Sequence, residues 1–171
     1  DDRIRDGQTP GALAGWKRGA DEVHAAGGLI MPLLWHTGSM RREGTGLAPD
    51  ARTVSPSGLK YPGKEIGVAL TKDDVSDIAD AFAKGTVAAR EAGFDGVQFH
   101  GAHGYLIDTF FWEGTNVRDD EYGGVLEERT AFAVEIIEKA RREVGKDYPL
   151  IIRLSQWKQQ DFEHKMATDP D

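Results

Sequence analysis

The run Leu29-Ile-Met-Pro-Leu-Leu-Trp35 constrains this chain more than any other feature. It is apolar throughout, without alternation, and sits between Gly27-Gly28 and His36. Such a run is short for a helix and reads as a strand covered on both faces, as in a parallel sheet between helices. Pro32 inside it cannot donate to a ladder. Helical periodicity stands directly before it: over 10–26, Leu13, Trp16, Ala20 and Val23 recur at steps of three and four. The same order then repeats twice. Thr71-Lys-Asp-Asp74 resembles a capping box with aspartate for the usual glutamate. It opens a helical face of Val75, Ile78, Ala79, Phe82 and Ala89, within which Gly85 costs about 1 kcal/mol relative to alanine. Gly93 ends that helix, and a second strand is predicted near 95–100. A third helix is predicted over 126–144 on Phe132, Ile136, Ala140 and Val144, with Glu135–Lys139 and Glu138–Arg142 as i,i+4 pairs. A third strand is predicted near 150–155.

Helices between buried strands imply a parallel sheet with right-handed crossovers. The segments 36–70 and 101–124 read as long loops after strands, where barrel and doubly wound enzymes carry their chemistry. No G-x-G-x-x-G follows any strand, which favours a barrel over a dinucleotide-binding sheet.

Composition narrows the function classes. The 171 residues carry a net charge of −8, which argues against nucleic-acid binding and against docking on anionic membranes. There is no cysteine, so disulfides and thiolate chemistry are excluded. No apolar run approaches the roughly 20 residues of a membrane helix. The start, Asp-Asp-Arg-Ile-Arg-Asp, shows no signal-peptide core, and a cytoplasmic location is expected.

The chemistry-bearing residues gather at strand ends. Trp35 and His36 end the first, while His100, His103 and Tyr105 follow the second. Two imidazoles three residues apart at a strand end can point at one oxygen, polarising a carbonyl and holding the negative charge of an enolate. A tyrosine ordinarily has a pKa near 10, so it is a neutral acid able to protonate a carbon. The residues alone leave other roles open. His-x-x-His could bind a metal, although no third ligand is evident nearby, or both histidines could be ordinary loop residues. Arg153 lies in an apolar strand and must be paired, because unpaired burial of a charge is costly. Without a motif it reads as an ion pair to a carboxylate, or as a cation that holds an anion or an electron-rich ring at the barrel mouth. His36 is capping or pocket-lining, Asp119, Asp120 and Glu121 read as a solvated acidic turn, and His24 and His164 carry no signal.

Four segments together resemble the old yellow enzyme family of flavin-dependent ene-reductases. Phe94 to Phe111, with His-Gly-Ala-His-Gly-Tyr inside it, is similar to the segment carrying the substrate-binding His-x-x-His/Asn pair and the tyrosine acid. Thr115-Asn-Val-Arg-Asp-Asp-Glu-Tyr-Gly-Gly124 with Glu128-Arg129 resembles the family signature Asn-x-Arg-x-Asp-x-Tyr-Gly-Gly. Ile152-Arg-Leu-Ser155 resembles the flavin-contacting arginine strand, and Leu33-Leu-Trp-His-Thr-Gly38 resembles Gln-Leu-Trp-His-x-Gly. The resemblance implies a (β/α)₈ barrel, FMN as cofactor, NADH or NADPH as hydride donor, and reduction of the C=C bond of an α,β-unsaturated carbonyl. It further implies that His100 and His103 hold the carbonyl oxygen, that Tyr105 protonates the α-carbon, that Trp35 lines the substrate pocket and that Arg153 contacts the flavin.

The chain departs from the family at two points. The glutamine that hydrogen-bonds the flavin falls on Leu33, which can make no such bond. The chain is also shorter than the roughly 250 residues of such a barrel. The expected fold is therefore α/β, a partial TIM barrel of about three parallel strands. Residues 1–171 are expected to form one incomplete segment, family strands three to five, inactive in isolation. Two other classes compete. A non-catalytic partial barrel would act by self-association or with a completing chain, since three strands cannot close a barrel. A metal-dependent hydrolase would use His100 and His103 on zinc.

Overall fold

The computed structural model describes residues 9–42, 44 and 49–163. The segment 1–6 and His164 lie outside the described residues. Helix α1 (Pro10–Ala25) starts where Thr9 Oγ1 accepts from the Ala12 N–H, with proline in the first turn. Strand β1 is only Leu33–Leu34, shorter than the predicted 29–35. Pro32 has no N–H to give, and the Ile30 N–H is taken by the Asp95 carboxylate at 2.7 Å. The ladder therefore closes only beyond the proline. Burial on both faces also fails: Leu29, Leu33 and Trp35 are exposed.

The segment 36–70 is not a plain loop. After a 3₁₀ turn at Gly38–Met40 it folds into two small pairings. Strand β2 (Val54–Ser55) runs parallel to β5 (Val68–Ala69), and β3 (Leu59–Tyr61) forms a hairpin with β4 (Lys64–Glu65). Helix α2 (Lys72–Glu91) opens on the expected capping box, with Thr71 and Asp74 bonded reciprocally.

Strand β6 (Val97–His103) follows. The predicted loop after it holds a further helix, α3 (Leu106–Phe111), all six residues of which are buried. The predicted helix 126–144 is two, α4 (Leu126–Arg129) and α5 (Ala131–Val144). They part at Thr130, whose hydroxyl bonds back to the Glu127 carbonyl and competes with the helical ladder. Strand β7 (Leu150–Lys158) runs three residues beyond the predicted end.

The main sheet has the order β1-β6-β7, all parallel, as predicted. Helices cover one face only. Val97, Phe99, Leu150, Ile152 and Leu34 pack with Phe82, Phe132 and Ile136 of α2 and α5. Side chains alternate across a strand, so the intervening positions Leu33, Gln98, His100, Ile151 and Arg153 share the opposite face. The register pairs Leu33 with Gln98 and His100 with Arg153. This is part of a barrel: helices outside, a row of inward positions inside. Among the described residues no helix is long and apolar enough to cross a membrane.

Candidate active site

Four rings meet where β1 and β6 end. The Trp35 ring stands edge-on to Tyr105, centroids 4.7 Å apart, and 6.2 Å from His100. His100 lies 5.1 Å from Tyr105 and 5.2 Å from His103. The structure thus brings together Trp35, His100, His103 and Tyr105, the residues singled out in the sequence. Local geometry explains why. The Leu106 N–H donates to the His36 carbonyl, and the His36 Nδ1 accepts from the Gly38 N–H. His36 thus ties the end of β1 to the start of α3, beside Tyr105, and also lines the apolar groove along β1. A Cβ at Gly38, which has φ +57°, would press on the Leu106 backbone.

Both imidazoles are pushed toward the neutral form. Burial lowers the pKa of His100 below the usual histidine value, and repulsion from Arg153 and from His103, when that ring is protonated, adds to it. Burial and Arg153 lower that of His103, while Asp108 opposes them. His100 is buried, and its Nδ1 has no hydrogen-bond partner. Arg153 is exposed on the same face and makes no ion pair among the described residues. The carboxylate bridge expected from its apolar strand is therefore not there, because the strand buries only its helix side.

Several contacts escaped the sequence reading. Trp157 stacks on His103 at 4.3 Å, and the Gln159 amide reaches the Tyr105 hydroxyl at 3.4 Å. Trp157 lies in the last part of β7 and Gln159 just beyond it, in residues that polar composition had assigned to a tail. The Asn116–Gly124 signature is built into the framework. Asn116 bridges the carbonyls of Phe110 and Tyr122, and Arg118 pairs with Asp120 and holds the carbonyls of Pro56 and Leu70. Asp120 is thus a paired group and not part of a solvated turn; the Arg118 guanidinium beside it lowers its pKa. Glu121 pairs with Lys72. Tyr122 donates to Glu135, and burial pushes its pKa up to about 12. His24 caps nothing catalytic: it bonds Asp95 at 2.9 Å. No group of three metal-ligating side chains occurs among the described residues. The remaining apolar groove, about 520 Å³ between α1, β1 and α2, is lined by residues such as Trp16, Ile30 and Phe82, with no convergent polar set.

Residues 8–169 match the model of the NADH:flavin oxidoreductase / NADH oxidase family. The chain belongs to that family. It is 39% identical over 176 residues to 12-oxophytodienoate reductase 1 of Oryza sativa subsp. japonica, a match spanning 95% of this chain and 45% of that protein. It superposes on the old yellow enzyme homologue of Zymomonas mobilis with a TM-score of 0.79 and 34% identity, covering 91% of this chain and 46% of the other. Morphinone reductase in complex with tetrahydroNAD gives 0.76 and 32%, covering 86% and 45%. The chain spans about half the length of the relatives it matches. Like these old yellow enzymes it is an α/β protein of TIM-barrel type, present as part of a barrel.

Proposed function

We propose that this chain supplies the substrate-binding part of an FMN-dependent ene-reductase, which reduces the C=C bond of α,β-unsaturated carbonyls at the expense of NADH or NADPH. The observation that carries the reading is the pair of imidazoles, both pushed toward the neutral form, packed beside a phenol at a strand end. Two N–H donors converging on one oxygen suit a carbonyl better than a cation, and their neutrality lets them bind an enone without attracting a carboxylate. In this reading His100 and His103 hold the carbonyl oxygen and stabilise the enolate. Tyr105 gives its proton to the α-carbon, and Trp35 forms the pocket wall. FMN, when bound, supplies the hydride that the nicotinamide first delivers to it. Toward that group the chain offers Arg153, an unpaired cation on the inward face, which suits the pyrimidine edge where negative charge collects on reduction. Leu33, on the same face, offers only apolar contact.

We take β1, β6 and β7 as strands three to five of eight, with activity belonging to the closed barrel. Phenol, a mimic of the enolate, tests the site. In the flavin-loaded barrel it should bind with a charge-transfer band, and His100→Ala should weaken both. Unchanged phenol affinity when His100 and His103 are both alanine sinks the assignment.

A further inference from the structure

The turn after β6 is held more heavily than a surface turn requires. His103 has φ +65°, the one left-handed non-glycine among the described residues, and Gly104 follows at +83°. Left-handed backbone is disfavoured for a residue with a Cβ, so its surroundings must hold it there. They take up all four backbone polar groups. The His103 N–H donates to Ser155 Oγ at 2.9 Å, and the His103 carbonyl accepts from the Gln159 N–H at 3.2 Å. The Gly104 N–H donates to Asp108 Oδ2 at 2.6 Å, and the Gly104 carbonyl accepts from the Gln160 amide at 2.7 Å. Behind them Lys158 Nζ donates to Asp108 Oδ1 at 2.8 Å, with both side chains wholly buried.

Stability alone does not call for such a pair. Apolar side chains of similar volume commonly do as well or better, because two charges must first be stripped of water. What an ion pair adds is direction: a carboxylate pinned by Lys158 has its other oxygen fixed under Gly104. The clamped turn carries His103 and is followed at once by Tyr105. We propose that the buried Asp108–Lys158 pair is the positioning device of the site, fixing the left-handed turn that sets the His103 imidazole against His100 and places the Tyr105 phenol. The inference rests on the ene-reductase reading of those three residues. Neither member of the pair touches substrate; both are positioning residues.

The test uses the flavin-loaded barrel with Lys158→Met, the isosteric Asp108→Asn, and the double variant. Bound flavin is read by absorbance and phenol affinity by calorimetry. Phenol affinity should fall on the order of 10- to 100-fold, since small misplacements of binding groups have effects of that size. Flavin content should stay unchanged. The double variant should be no worse than either single change, because the two residues act as a unit. Full phenol affinity in a single variant that retains its flavin overturns the proposal. So does loss of flavin together with phenol binding in both single variants, or failure of both to fold, since the pair would then merely support the fold. If the unaltered protein binds no phenol, the ene-reductase reading falls and this inference with it. If it binds phenol and the variants do too, only the inference falls.

Discussion

Tyr105 touches the rings of Trp35 and His100, and its hydroxyl meets the Gln159 amide. The amide donates to the phenol oxygen and leaves the O–H free to act on a ligand. If that proton goes to the α-carbon of an enone, Tyr105→Phe in the closed barrel slows reoxidation by cyclohexenone by about 10²–10⁴-fold, the usual contribution of a placed general acid. Reduction by NAD(P)H and reoxidation by a quinone need no carbon protonation and should stay near normal. Stopped-flow traces in which enone and quinone rates fall together would make Tyr105 a packing residue. At this scale the sequence was informative because the family motif compresses four site residues into two short strings. It was silent on Trp157, Gln159 and Lys158, because a stack and two hydrogen bonds across 50 to 54 positions of chain leave no local pattern; only the fold brings them to His103, Tyr105 and Asp108.

Among the elements, α2 shows where periodicity is decisive and where it stops. Its capping box and apolar face are both written locally, and both form as read. Gly85 looks like a defect on propensity grounds, yet it is buried against β1. A Cβ there would meet the Leu34 methyl groups at 3.4 and 3.8 Å, an ordinary contact. Gly85→Ala should therefore stabilise the chain by about 0.5–1 kcal/mol through helix propensity, read as a higher urea midpoint. A lower midpoint would mean that Leu34 cannot yield and that the glycine is a packing requirement. The elements that periodicity missed share a cause. Strands β2 to β5 have two or three residues each, too few to show a period, and α3 is buried on every side, so it has no polar face to reveal it. The excess length of β7 was hidden by Gln156 and Lys158, polar residues in a strand, the second of which belongs to the buried pair.

For the molecule as a whole, the decisive property is that helices cover one face of the sheet. Leu33, Trp35, Ile151 and Trp157 stay exposed on the other, and neither β1 nor β7 has an outer partner among the described residues. Exposed apolar surface and open strand edges of this kind promote association. The 171-residue chain expressed alone should therefore elute from a sizing column well above its 18.7 kDa, and should do so more strongly at high concentration. A monodisperse monomer at every concentration would show that those edges are covered in a way the described residues do not reveal. The strand order has a temporal consequence. In β1-β6-β7 the strands of the main sheet are laid down in the order in which they pair, so during synthesis each new strand of that sheet finds its template already made. At about 5–20 residues per second, the ribosome leaves the free edge of β6 waiting for seconds before β7 emerges, which is long compared with hairpin formation in microseconds. In that interval the nascent chain presents His100 and His103 on an open edge, and a chaperone or an early companion strand has time to act there.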